Sequence, residues 1–560
     1  MLGTILTPTA IWKNFTVKEN LAFNVITEEK VNGVIYTRFK LEGREVEDGK
    51  VNIYAELYRK ASSKETPAVL LIEDFSIRDD KTLVKNLLKQ GFSVLQIDIA
   101  GFSQGKENYT EYPASIEYAN YELVKDSILQ VERSADQTCW FEWSAVIRYA
   151  IKFLKELPLI TKVGVVGSGM VATALWQAVA IDYNVDCAVV ALNSGWLGYR
   201  GSYKFGGGVE PQLNDQLYKF IAGIDPQSYV SHLSCPTLLL SATNNEVFDC
   251  DRAYDTVSRI EENIYSSVHY SQNQINKINQ DAYTNMSLFL DKFLLDDGEI
   301  YLPGDCEIKC EIVDGELDIH INGDSKGLKS VTVYLAEQVV NPALRSWRAV
   351  TAKKKGDGKY TTKYLPYNKS EMVVMFATLK YDSGFTTCTN IIAKKFNEEE
   401  IKVTYKNNIV FSSREESLAS LFTPANTIDS KVGIELFSKS DVAKKKGPMG
   451  IIGITHESGI LTFIPCRKKN HPEDNSIFML DVYTKNPAQL VVTLTADYFG
   501  NKTEYFARID VLGGDIWHNV KIEMNKFKTA EGRVLKGYAD IETITINADD
   551  EFLINNALWI

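Results

Sequence analysis

From Val163 to Trp176 the chain reads VGVVGSGMVATALW, an apolar run that passes through Gly167 and Gly169 into a second apolar run. A run without alternating polar positions is a strand buried on both faces, and such a strand needs helices above and below it. The glycines mark a sharp strand-to-helix turn, where a residue without Cβ adopts dihedrals closed to other side chains. The same apolar signature recurs in AVLLIED (Ala68–Asp74), SVLQID (Ser93–Asp98), CAVVAL (Cys187–Leu192) and PTLLLSA (Pro236–Ala242), with a last run near Ile264–Tyr270. Earlier strands are expected at Gly33–Leu41 and Asn52–Arg59, and a closing helix at Tyr283–Leu295 carries Met286, Phe289, Leu290, Phe293 and Leu294 on one stripe. The first half therefore reads as α/β, a parallel sheet with helices on both faces.

Past residue 300 nearly every segment reads as strand separated by Gly, Asn and Asp, so the rest is all-β. ELDIHING, SVTVYLAE and VVMFATLKYD alternate as in a β-sandwich, with the hairpin turn GDGK at Gly356–Lys359. The charge-rich IIAKKFNEEE marks a boundary near Lys394–Glu400, and no helical periodicity follows it. Three units are expected, at 1–297, 298–397 and 398–560, which suits a chain of 560 residues.

Composition narrows the function classes. The chain is 45% apolar and 24% charged, and no stretch of about 18 uncharged apolar residues is present, so no membrane partner is expected. MLGTILTPTAIWKNF lacks the basic start, apolar core and small-residue cleavage site of a signal peptide, which points to a cytoplasmic location. The eight cysteines form no CxxC, and Cys306 and Cys310 share a strand face, a pattern of reduced thiols. A net charge of −12 disfavours nucleic acid as a partner. Lys353–Lys355 and Lys444–Lys446 each abut glycine and are expected as solvated loops.

The succession of elements resembles the α/β-hydrolase fold, and within it the acetyl-xylan-esterase and dienelactone-hydrolase-like branch, over roughly residues 30–297. The resemblance is carried by QGFSVLQIDIAGFSQGK (Gln90–Lys106), YTEYPASIEYANY (Tyr109–Tyr121), CWFEWSAVIRYAIKFL (Cys139–Leu154) and CPTLLLSATNNEVFD (Cys235–Asp249). It implies a G-x-S-x-G nucleophile elbow at Gly167–Val171, and there the nucleophile place falls on Gly169. The acid place falls on Asn245 and the histidine place on Asn276, so all three members of the implied triad are replaced. An amide carries no charge to stabilise an imidazolium, and a glycine carries no nucleophile. The competing arrangement shifts the nucleophile to Ser168, with His269 as base and Asp249 as orienting acid; Asp251 is a further acid candidate. The bland reading makes Ser168 a cap of the following helix. His232 precedes a strand and belongs to the opposite end of the sheet.

Gly167–Ala172 also satisfies G-x-G-x-x-G/A, yet the next strand ends in Asn193 where a dinucleotide site needs an acidic residue, so no cofactor is expected. Trp140, Phe141 and Trp143 share a helix with Ile147 and Ala150 and read as core. Gly195–Pro211 is a long Gly- and aromatic-rich connection whose Trp196, Tyr199 and Tyr203 are candidates to line a pocket. The middle unit resembles the fibronectin-like sandwich that follows the hydrolase core in some bacterial hydrolases, with ALRSWRAV (Ala343–Val350) similar to a stretch found there.

The last unit resembles the jelly-roll, galactose-binding-like domains common among carbohydrate-binding modules, on Phe478–Gly500, Ile516–Lys528 and Ile544–Ile560. That resemblance implies sugar stacking on exposed aromatics, with Tyr483, Tyr498 and Tyr505 as candidates, while Trp517 and Trp559 read as core. ADDE (Ala548–Glu551) is too short to name calcium ligands, and no metal is expected. The expected function is that of a degraded carbohydrate-esterase-like hydrolase that binds a carbohydrate or acylated small ligand. The alternatives are an active acyl or acetyl esterase using Ser168 and a scaffolding protein.

Overall fold

The computed structural model describes residues 4–560 apart from 63, 209, 212, 273, 338, 367–371, 398–399, 403–408, 414–417, 419, 425–441 and 467–469. Its first part is built on a nine-stranded sheet: β1 (Phe23–Val31), β2 (Val34–Val46), β3 (Gly49–Lys60), β4 (Thr66–Ile72), β5 (Ser93–Ile97), β6 (Ile160–Ser168), β7 (Cys187–Ala191), β8 (Thr237–Ala242) and β9 (Ser266–Ser271). The order across the sheet is β1-β2-β3-β5-β4-β6-β7-β8-β9. The pairs from β1 to β5 are antiparallel, and those from β5 through β4 and β6 to β9 are parallel.

The continuous apolar strands follow from having two covered faces. In β4, Ala68, Leu70 and Ile72 face the layer that holds helices Cys139–Glu156 and Ala172–Ile181, whereas Val69 and Leu71 face helices Thr82–Gln90 and Gln280–Leu294. Trp140, Phe141 and Trp143 are buried in the first of these layers. Gly167 lets the following helix approach, because a Cβ there would lie 2.4 Å from Leu175 Cδ2.

Strand β1 has no counterpart among the sequence expectations. It lies at the sheet edge with both faces exposed, so burial imposes no period on its residues. A bulge at Ile26 and the charges of Glu28, Glu29 and Lys30 guard that edge against further pairing. The two lysine triplets correct the loop expectation in the same way. Lys353–Gly356 and Ala443–Lys446 are exposed edge strands, and their charges disfavour edge-to-edge association.

The middle part packs a four-stranded sheet (Glu307–Val313, Glu316–Asn322, Lys353–Gly356, Lys359–Tyr364) against a five-stranded one (Leu328–Glu337, Arg348–Thr351, Met372–Tyr381, Thr386–Cys388, Ile392–Lys395). Met372–Tyr381 is buried on both sides: Val373, Met375 and Ala377 face the core between the two sheets, while Val374 and Phe376 join the core of the α/β part. The last part is all-β as well, a six-stranded and a four-stranded sheet enclosing their own core. All eight cysteines are free thiols. Among the described residues no helix is long and apolar enough to cross a membrane.

Candidate functional site

The strand-to-helix turn sits at the C-terminal edge of the parallel sheet. Ser168 is the last residue of β6, and Gly169 adopts φ 63° before the helix that starts at Ala172. A left-handed residue at that apex is costly for anything but glycine. The turn is pinned from β7: Gly169 N–H donates to Ala191 O (2.9 Å) and Asn193 Nδ2 donates to Gly169 O (2.8 Å). The expected cap is corrected, since Ser168 Oγ donates to the Glu73 carbonyl (3.0 Å) and the helix has no side-chain cap.

The two other family places meet. Asn245, in the loop after β8, accepts the Val247 and Phe248 N–H groups at Oδ1 (2.9 and 2.8 Å), and its Nδ2 donates to Asn276 Oδ1 (3.3 Å). An acid and its histidine would touch across the same gap.

The shifted set disperses. His269 lies in β9, with Nδ1 2.8 Å from Thr386 Oγ1 and Nε2 3.3 Å from Asn279 Oδ1. Its ring is fully buried, and burial lowers its pKa to about 4. Strands β6 and β9 are separated by β7 and β8, about 14 Å of sheet, far beyond hydrogen-bond reach of Ser168. Asp249 Oδ1 accepts the Asp251 N–H (2.8 Å), and burial followed by the Asp251 charge raises its pKa. Asp251 is held by Arg345 of the middle part in a bidentate pair, with 2.7 Å between Nη2 and Oδ2 and both side chains fully buried. Asp249, Cys250 and Asp251 lie close enough to suggest a metal site, but the Asp251 oxygens are spent on the guanidinium and the Cys250 thiol on Thr243 O (3.3 Å).

Two carboxyls beside the elbow escaped the sequence reading. Glu73 and Asp74 follow β4; burial raises Glu73 to about 7 and Asp74 to about 6. Asp74 Oδ1 accepts the Phe75 N–H (2.7 Å), so an amide of this loop faces a carboxylate. In a hydrolase the loop after this strand supplies an oxyanion donor, and here the Phe75 amide of that loop is already taken by Asp74 Oδ1. AVLLIED displayed both residues, but only the fold brings them to the elbow.

Trp196, Tyr199 and Tyr203 line a small cavity together with Asn245, Glu246, Asp249, Arg252, Asn341 and Pro342. Its volume is only about 40 Å³, room for a water or two against the roughly 300–1,000 Å³ of a small-molecule site. Leu192 and Trp196 hold φ of 56° and 63°, strained values for bulky residues. Asp225 stabilises this loop by accepting the Trp196 and Gly198 N–H groups (2.7 and 3.0 Å), and burial raises its pKa to about 6. The Arg252 and Arg259 guanidiniums stand 5.1 and 4.8 Å from the Trp196 ring centroid.

The third-part tyrosines do not form one surface. Tyr498 is buried against Phe463 and Phe499, which corrects its expectation as an exposed platform. Tyr483 and Tyr505 are half-buried on strands of different sheets. Trp559 is core, while Trp517 is half-buried beside Tyr483 and donates to Pro448 O (3.3 Å). A cavity of about 520 Å³ does open in this part, lined by Lys445, Thr455, His456, Glu457, Asp549 and Asp550 among others.

No family model and no curated protein matches this sequence. Esterase structures resemble about half of the chain. Acetyl xylan esterase from a Paenibacillus species is 13% identical, with a TM-score of 0.37 over 51% of this chain and 92% of that one. Acetyl xylan esterase 1 from a Thermoanaerobacterium species is 12% identical, with a TM-score of 0.34 over 48% of this chain and 89% of that one. Glucuronoyl esterase from Solibacter usitatus is 13% identical, with a TM-score of 0.33 over 47% of this chain and 86% of that one. At these values the likeness assigns no chemistry, which has to come from the residues themselves.

Proposed function

We propose that this protein retains an esterase-like α/β scaffold, has lost ester hydrolysis, and acts by binding a carbohydrate or acylated ligand. The observation that carries this reading is the edge of the sheet: glycine at the apex and Asn245 hydrogen-bonded to Asn276 where an acid and a base would work. His269 lies three strands away from Ser168 and so cannot activate it, and the Phe75 amide that could meet an oxyanion is held by Asp74. The cavity of about 520 Å³ in the third part supports the binding half of the proposal, since it has ligand size and presents hydroxyl, imidazole, ammonium and carboxylate groups suited to sugar hydroxyls.

Initial rates on p-nitrophenyl acetate and acetylated xylan test the loss of hydrolysis, with wild type and Ser168→Ala both expected at the buffer rate. Turnover by wild type that Ser168→Ala abolishes would restore the shifted nucleophile. A glycan panel read by thermal shift tests binding; Asp549→Asn combined with His456→Ala should remove any shift seen with wild type, and no shift across the panel would leave a scaffolding role.

A further inference from the structure

We infer that the two β parts form a latch that holds shut the cavity between the Trp196 loop and the loop after β8. This goes beyond the proposed loss of hydrolysis at the sheet edge, and adds how access to the cavity beside Asn245 is controlled. Two linked contacts close it, one from each β part, and each grips a loop that carries one of the vacated triad places.

The first contact is made by residues 339–347 of the middle part against the loop after β8. Arg345 pairs with Asp251, its Nε donates to Val339 O (2.9 Å), and Asn244 Nδ2 donates to Ala343 O (3.0 Å) and Arg345 O (2.8 Å). Asn341 and Pro342 from the same segment wall the cavity opposite Trp196, Tyr199 and Tyr203. Aromatic and charged groups suited to a ligand surround a space of only about 40 Å³ there. The second contact is made by the third part. Ile275, adjacent to Asn276, is buried in a cluster with Phe422, Leu461, Phe463 and Tyr498, against which Leu344 also packs. The Cys466 thiol donates to Leu344 O (3.1 Å), so the two contacts share one segment of chain.

A buried ion pair contributes little net stability against an apolar replacement, yet it fixes one arrangement because either charge alone is costly. The Arg345–Asp251 pair together with an apolar cluster is therefore the construction of a two-position catch: both engage or both release. Release would move Asn341 and Pro342 away from the aromatic wall and enlarge the cleft without breaking any strand pairing of the nine-stranded sheet.

Hydrogen exchange reads this directly. In wild type at low urea, amides of 244–252 and 341–347 should exchange through one opening with a common denaturant slope. In Asp251→Leu/Arg345→Met, which removes the pair without stranding a charge, amides of 195–205, 244–252 and 274–278 should exchange at least ten-fold faster while 163–168 and 187–191 keep their rates. Phe463→Ala should give the same pattern through the other contact. Independent slopes in wild type, or acceleration spread equally over the core strands, would overturn the latch. The p-nitrophenyl acetate assay on the released variants separates the two readings: turnover appearing there would refute the loss of hydrolysis and leave the latch standing.

Discussion

Two regions divide the catalytic vocabulary of this chain between them. The C-terminal edge of the parallel sheet has the positions, with Gly169 at the elbow and Asn245 against Asn276, but its side chains are absent or neutral. The seam between β9 and the middle part has the imidazole, with His269 bonded to Thr386, Ser267 to Thr387, and Asn285 Nδ2 donating to Thr386 O (2.7 Å), but the ring is fully buried. Reactive residue types matter only where the fold places them at an open edge. His269 is there for docking: it fills a polar gap between two packed layers, and burial keeps it neutral.

The regions also respond oppositely to charge, which gives ways to break or sharpen the contrast. The largest effect belongs to the latch. Arg345→Leu alone strands Asp251 and should cost about 3–5 kcal/mol in urea unfolding, whereas Asp251→Leu/Arg345→Met should cost only about 1.4 kcal/mol, the equivalent of its ten-fold faster opening. Next comes the seam. His269 has a folded pKa near 4 against about 6.5 unfolded, so the unfolded chain takes up the proton first and stability is lost as pH falls from about 6.5 to 4. The loss at pH 4 should be about 3 kcal/mol and should be absent in His269→Gln.

The edge carries the opposite sign. Glu73 binds its proton up to about pH 7 in the folded chain, so ionisation above that opposes folding and acidification toward pH 4.5 restores stability. Glu73→Gln should therefore stabilise the protein at pH 8, by about 1–2 kcal/mol after solvent screening. The smallest effect is at the apex, where Gly169→Ala places a Cβ at φ 63° and should cost about 1 kcal/mol without changing the hydrolysis rate. A change in rate would mean that the elbow still does chemistry.

Much of the α/β part was legible in the sequence because burial on two faces writes continuous apolar runs, and β4 through β9 fall on those runs. Strand β1 was not, since an exposed edge imposes no period. Gly169, Asn245 and Asn276 were named by their place in the implied pattern, and the structure brings the two asparagines into contact. Ser168, His269 and Asp249 were proposed by residue type, which carries no information on strand separation across the sheet. Glu73 and Asp74 were missed because an acidic pair after a strand is ordinary in sequence and becomes unusual only when neighbouring strands bury it. Tyr498 looked like a surface aromatic because the packing of the third part on Ile275 involves residues distant in sequence.

The Trp196 loop has a consequence for anyone redesigning the protein. Its left-handed backbone is tolerated because Asp225 supplies acceptors for the Trp196 and Gly198 amides. Positions 196 and 225 are therefore one design variable. An engineer who removes the carboxylate should install glycine at 196 in the same step, and a library that varies the two separately would sample mostly misfolded loops.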